Sequence, residues 1–417
     1  MTKRVLMPAV LLAALALPAG QAAAQNVPAQ DTDLAAIFAA PVAISRDGPV
    51  TAVPLELRMD KLFVHAAANG ESREFIFDTG SPTILTREFA DALGLETIGR
   101  NTGVDANGNP VTMEVAVLDR LAIGGTAFHR VPVLIFDFSA LPMGRCFIDG
   151  GILGSEILPG SAWRIDVGAG RLSIAGDAAT LGGGEPELQA RLYDFGYPHA
   201  PIVDYGVGDL QDKALFDTGN AEQVTLFARA ADSAPVREHV VPGSVSRGEG
   251  YEGESAGGRG ETGPLVRFSL EDFRIGDHAL DTVRATTRSV PPSLLGAGML
   301  ASYTITLDYP GEAVVLERRD GVSPPAPEAG YAIAFSEDYA EVAQLFADSP
   351  AAAASLRLGD RVLEVQGRSL DIADAQARCE AARWLTESFE PAEGAEIVVL
   401  RESEPVAIHV PSVSLPD

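Results

Sequence analysis

Two stretches carry the residue types that could do chemistry: Phe75-Ile76-Phe77-Asp78-Thr79-Gly80-Ser81 and Ala214-Leu215-Phe216-Asp217-Thr218-Gly219-Asn220. Each is an apolar run ending in Asp-Thr-Gly. At average composition one such triplet arises by chance in roughly one chain in ten of this length, so a single copy would read as a turn or capping aspartate. Two copies in matching surroundings point instead to a pair of carboxylates. Two carboxyl groups held close together cannot both ionise, so they share one proton and titrate as a pair. The ionised partner takes a proton from a water while the protonated one donates to a carbonyl oxygen. That is a hydrolysis needing neither a metal nor a nucleophilic side chain, with Asp78 and Asp217 as the expected catalytic residues. The rest of each triplet supports them. The hydroxyls of Thr79 and Thr218 can bond across to the facing loop's backbone. Gly80 and Gly219 permit close approach and unusual φ. Ser81 can hydrogen-bond Asp78, and Asn220 stands in the matching place with an amide that can donate similarly.

The surroundings repeat as well. Gly151-Ile152-Leu153-Gly154-Ser155-Glu156-Ile157-Leu158 follows the first triplet, and Ser293-Leu294-Leu295-Gly296-Ala297-Gly298-Met299-Leu300 follows the second at nearly the same interval. Between lie Leu121-Ala122-Ile123-Gly124-Gly125 and Phe273-Arg274-Ile275-Gly276-Asp277, a third echo. Trp163-Arg164-Ile165-Asp166 and Thr306-Leu307-Asp308-Tyr309 then enter further strand-like runs. Matched features in one order read as a duplicated unit of roughly 130 residues, an ordinary domain size.

On these motifs the chain resembles the aspartic peptidases over about residues 48–318. An apolar strand into Asp-Thr-Gly, then an aliphatic-aliphatic-Gly strand, is that family's signature. The single halves look most like retropepsin-type units, with Ala90-Asp91-Ala92-Leu93-Gly94-Leu95 as the short helix such units carry, and two units in one chain is the pepsin-like arrangement. The resemblance implies a mainly β, two-lobed fold with polypeptide substrates, no cofactor and a single-chain dyad, hence a monomer. It also implies a flap over the cleft. Gly103–Asn109 is the candidate in the first half and the glycine-rich 246–263 in the second, the latter readable equally as a disordered loop. The flap tyrosine of pepsin-like members is absent from the first segment.

The elements that must position the triplets are legible from alternation. Val50–Leu57 and Lys61–Ala68 alternate as strands should, Asn69-Gly70 is a hairpin turn, and Arg73–Phe77 returns. Pro201–Tyr205, Gly206 and Gly208, then Lys213–Phe216 repeat the plan. Residues 1–24 read as a secretory signal: Lys3 and Arg4, an apolar stretch too short to span a bilayer, and Ala22-Ala23-Ala24. A lead of residues 25–47 with a short helix at Leu34–Ala39 follows, then lobes at 48–180 and 187–318, joined near Gly182-Gly183-Gly184. Ser323–Pro327 is a stiff linker. Beyond it, residues 328–413 resemble a PDZ domain of the bacterial type, with Ala373–Phe389 as its long helix. The resemblance puts the peptide-binding loop on Gly330, Tyr331, Ala332, Ile333, Ala334 and Phe335, and a C-terminal or extended peptide as its ligand.

Composition excludes other classes. The formal net charge is −27, and the leader takes two cations with it, which argues against nucleic acid and anionic membranes as partners. No later run approaches transmembrane length, so an exported periplasmic or secreted protein without stable membrane insertion is expected. His-Glu-x-x-His and Cys-x-x-Cys are absent, so no metal site is expected. Cys146 and Cys379, the only cysteines, fall in different expected domains; export permits a disulfide between them, but they form no disulfide framework and the favoured reading is two separate thiols. The reading from another class is a peptide-binding protein that kept the cleft and lost turnover, with Asn220 and the altered flap as its support.

Overall fold

Apolar runs with and without alternation form different strands in the computed structural model, which describes residues 9–10, 33–184, 186–320, 329–370 and 372–413. Lys61–Ala68 and Glu71–Phe77 make a hairpin whose two-residue turn, Asn69 (φ 48°) and Gly70 (φ 97°), is left-handed at both positions, as such turns require. Phe75, Ile76 and Phe77 are all buried because their strand is central. Lys61–Ala68 runs antiparallel on one side and Gly151–Leu153 parallel on the other, with Phe77 opposite Leu153. A strand covered on both faces has no polar positions to alternate. The second half follows the same plan. Ile202–Val207 and Leu210–Asp217 form the hairpin, and Ser293–Gly296 lies parallel to the latter with Asp217 opposite Gly296.

Antiparallel strands join the halves. Val50–Pro54 pairs Arg171–Ala175, which pairs Ala162–Asp166, which pairs Tyr303–Asp308, then Ala313–Arg318 and Leu188–Tyr193. Trp163 is fully buried beneath this sheet, stacked on Phe77 and Phe128 with ring centroids 5.6 and 5.7 Å away. Its truncation to alanine would cost about 3–5 kcal/mol. Arg164 and Glu317 clasp across the join, Nη2 donating to Oε2 at 2.8 Å.

After Ala329 a smaller β unit with its own apolar cluster follows. It comprises Tyr331–Phe335, Ala340–Phe346, Arg361–Val365, Ala395–Arg401 and Glu404–Val410, with the helix Ala375–Glu387. It does not hang free. Ser246–Gly250, a strand of the second half, pairs with both Gly263–Leu270 and Ala340–Phe346. From the first half, Met143 enters the small unit's apolar cluster. There the expectation of two separate thiols fails: Cys146 and Cys379 are disulfide-bonded, their Cα atoms 5.0 Å apart. The helix Gly144–Phe147 packs on Ala375–Glu387 and brings the two sulfurs within bonding range, a contact that sequence distance hides.

The leader and the Ser323–Pro327 linker lie outside the described residues, except that Ala9–Val10 pairs as a short strand with Gly253–Ser255. Among the described residues no helix is long and apolar enough to cross a membrane. The expected helix at Leu34–Ala39 is present with Asp33 as its N-cap.

Candidate active site

Each aspartate stands where its central strand ends against the aliphatic-aliphatic-Gly strand, and the Asp78 amide donates to Leu153 O at 3.0 Å. The two loops then grip each other. Thr79 Oγ1 donates to Phe216 O (2.6 Å) and Thr218 Oγ1 to Phe77 O (2.8 Å). Each hydroxyl also accepts the other threonine's amide, at 3.0 and 3.1 Å. A Cβ on Gly80 would collide with the Asp217 carboxyl and one on Gly219 with that of Asp78, so glycine is what lets the carboxyls meet. Oδ1 of Asp78 accepts from Gly80 N (2.9 Å) and Oδ1 of Asp217 from Gly219 N (2.8 Å). Both side chains are fully buried, and both Oδ2 atoms lack a further partner. The site thus has two symmetric acceptors facing the space between the loops.

Burial pushes both carboxyls upward. Asp78 rises well above its ordinary value because the Asp217 charge adds to the desolvation. Asp217 rises less, since Lys61, Arg288 and a hydrogen bond from Asp78 offset its burial. Two raised carboxyls facing each other share one proton, and they titrate as a pair.

Lys61 and Arg288 were not among the residues expected here. Lys61 is buried at the start of its strand, and its Nζ donates to the carbonyl of Gly219. Desolvation lowers the ammonium's pKa, while Asp78 and Asp217 pull it back up. Arg288, also buried, ends the strand Val283–Arg288, and its Nη2 donates to Ala106 O at 3.0 Å. The sequence signal for Lys61 was a lone charge opening an otherwise apolar strand. Glu156 was missed as well. Its Oε2 accepts from Thr83 N (2.9 Å), Oε1 is buried without a partner, and burial pushes the carboxyl up to about 7.

The expected first-half flap reaches across to the second half. Gly99–Val104 and Pro110–Ile123 form its hairpin, and at the tip Ala106 packs on Leu215 and Leu294 of the second half. Asp105 organises the tip, with Oδ1 accepting from Asn107 N (2.9 Å) and Asn109 N (2.7 Å). Its Oδ2 accepts from Gly257 N (2.8 Å) in the glycine-rich segment. Asn107 Nδ2 reaches Gly258 O at 3.1 Å. The glycine-rich segment is thus a built strap across the flap tip, neither a loose loop nor a second free flap. Arg259 ties it to the small unit, Nη1 bonding Glu341 and Nη2 donating to Phe335 O.

Two expected contacts are not made. Ser81 Oγ donates to Pro82 O (2.8 Å) rather than to Asp78. The Asn220 amide turns away, Nδ2 donating to Thr225 Oγ1 (3.0 Å) and Oδ1 accepting from Glu222 N (3.3 Å). In both loops the carboxyl's Oδ1 is already taken by a backbone amide. Gly330 (φ 77°) is a bend that leads into the strand Tyr331–Phe335, every residue of which is buried. A cavity of about 1150 Å³ opens elsewhere, lined by Arg58, Arg87, Arg145, Cys146, Asp149 and Arg383 among others, and neither aspartate lines it.

Comparison with known proteins reaches part of this architecture. No curated protein matches the chain. Residues 64–157, which hold Asp78, the flap and the first Ile-Leu-Gly but not Asp217, match the family model described as aspartyl protease.

Proposed function

We propose that the chain is an exported aspartic endopeptidase with an intramolecular Asp78/Asp217 dyad. In this reading it comprises a leader at 1–24, a lead at 25–47, retropepsin-like lobes at 48–180 and 187–318, and a PDZ-like unit at 328–413. One observation carries it: two Asp-Thr-Gly loops from different parts of the chain, locked by reciprocal threonine bonds, present two buried Oδ2 atoms with no further partner. A water between them would complete the hydrogen bonding. The ionised carboxyl of the pair takes the water's proton, and the protonated one donates to the scissile carbonyl oxygen. The loop amides of Gly80 and Gly219 each hold one oxygen of a carboxyl and leave the other for this exchange. Export is supported by the leader pattern and by the disulfide, a bond that persists in oxidising compartments.

The PDZ-like unit is proposed to take an extended peptide along Tyr331–Phe335 by strand addition. Phe335 O is already held by Arg259, so the peptide would pair with the Gly330 end of that strand. The rival reading, a binder without turnover, loses one support, because the Asn220 amide is engaged away from the dyad.

The test is incubation of the purified protein with a denatured protein mixture from about pH 3 to about pH 8, with peptide products read by mass spectrometry. Asp78→Asn and Asp217→Asn should each abolish the products with an unchanged circular dichroism spectrum. Near-normal turnover in Asp217→Asn would refute the dyad.

A further inference from the structure

We infer that Arg288 determines specificity in the proposed cleft, selecting peptides that carry a carboxylate, an Asp or Glu side chain, beside the bond to be cut. The inference deepens the peptidase reading and rests on it for the location of the substrate.

Arg288 is 4% exposed and lies at the strand end that leads into Ser293–Gly296, the strand paired with the Asp217 strand. Its Nη2 is fixed by the flap carbonyl of Ala106. Its Nη1 is buried with no acceptor. An unsatisfied donor on a buried cation is costly, and a guanidinium whose Nη2 is fixed presents Nη1 as a preformed, charge-assisted donor for an oxygen ligand. The two charges that face it are Asp217 and Glu252. Asp217 is committed to Gly219 N and to the carboxyl pair. Glu252 is half-buried on the strap, with burial raising its pKa and weakening its hold as an anion.

The charge balance points the same way. Lys61 is answered by Asp60 and by the aspartate pair, which shares a proton and supplies one negative charge, while Arg288 faces, besides that pair, Glu252, whose anionic form burial disfavours, so an excess of positive charge stays at Arg288. A neutral peptide leaves that excess in place, and a backbone carbonyl would satisfy Nη1 without neutralising it. A substrate carboxylate does both. Because Arg288 is coupled to the Asp217 side of the pair, the favoured acidic residue is expected at one fixed position next to the scissile bond, on one side only.

The experiment uses two peptide libraries of randomised sequence, identical except for one fixed Glu or Gln walked through the positions flanking the cleavage site. Cleavage is followed with the full chain. Binding is followed by competition on the full-length Asp78→Asn variant. Wild type should prefer Glu over Gln by about ten- to a hundredfold at one position, the range of a charge-assisted hydrogen bond. Arg288→Gln should bring that ratio to about one, and Arg288→Lys should retain part of it. A merely structural role would lower both libraries equally and leave the ratio unchanged, which would overturn the inference. So would equal use of Glu and Gln by wild type, or binding of neither library. Cleavage without acid preference would leave the peptidase reading standing. Glu-selective binding without any cleavage would refute that reading and keep Arg288's role. Should Arg288→Gln fail to fold, the wild-type ratio and Arg288→Lys still decide.

Discussion

Replacing Lys61 by methionine should move the acid–base behaviour of the whole site. Lys61 is the one cation that faces both aspartates, and it is anchored on the Gly219 carbonyl, one residue from the Asp217 amide-capped loop. At about 6 Å, the outer range of such charge effects, a unit charge at an effective dielectric of about 20 contributes about 3 kcal/mol, or roughly two pH units. Lys61→Met should therefore shift both limbs of a kcat/KM profile on a fluorogenic peptide upward by about one to two pH units. Stability should follow with a definite sign. The carboxyls' folded pKa values are raised, so the stability they favour is complete below about pH 4 and is lost as pH rises through those values. Removing Lys61 raises them further and deepens that loss toward neutrality. At low pH the pair is protonated and Lys61, a buried cation, keeps only Asp60 of the three carboxyls that face it, so methionine is the better residue there. Chemical denaturation should thus find the variant relatively more stable near pH 3 and relatively less stable near pH 7. The missing bond to Gly219 O weighs equally at both. A difference that stays constant between those pH values, with unmoved kinetic limbs, would refute the coupling.

Glu156→Gln should remove a pH-dependent penalty. With the carboxyl raised to about 7, the stability it favours is present below about pH 4.5 and disappears as pH climbs past 7. The variant should gain up to about 3 kcal/mol on wild type by pH 9 and little at pH 5, read by urea unfolding. Asp105→Ala deletes three acceptor contacts that shape the flap tip and tie it to Gly257. Amide exchange across residues 105–109 and 253–259 should accelerate at least tenfold, and unchanged protection would show that the strap does not hold the tip. Replacing both Cys146 and Cys379 by serine opens a cross-link with a sequence separation of 233. Chain entropy puts the loss at about 5 kcal/mol, and a loss under about 1 kcal/mol would mean that the packing there holds by itself.

What the sequence displayed well was local. Hairpins announced by Asn69-Gly70, the apolar runs into Asp78 and Asp217, and the crossing threonine hydroxyls all follow from residue type and period. The last helix, expected at Ala373–Phe389, is found at Ala375–Glu387. What it hid depends on contacts between distant segments. The glycines of residues 246–263 suggested looseness, yet a Cβ at Gly248 would strike Leu345 O and Phe346. There glycine marks the closeness of a neighbouring strand. Lys61 looked like a polar member of an alternating strand because the second half that covers it lies far along the chain. Ser81 and Asn220 had the right chemistry beside each aspartate, but Thr225 and the Pro82 carbonyl offered them nearer partners. The cysteines carried no periodicity at all.

The bond between those cysteines also times the chain's maturation. Cys146 emerges long before Cys379, and until nearly the whole polypeptide exists its sulfur is an unmatched thiol. Alkylation of Cys146 therefore reports incompleteness: nascent or C-terminally clipped molecules take the label, and finished ones do not. The same arithmetic governs any shortened version of the protein. Ending the chain near Asp320 would strand that thiol in the wall of the arginine-lined cavity beside Arg145, open to oxidation or to coupling with a second molecule. A shortened form and the full chain become comparable only when the first carries Cys146→Ser and the second both Cys146→Ser and Cys379→Ser.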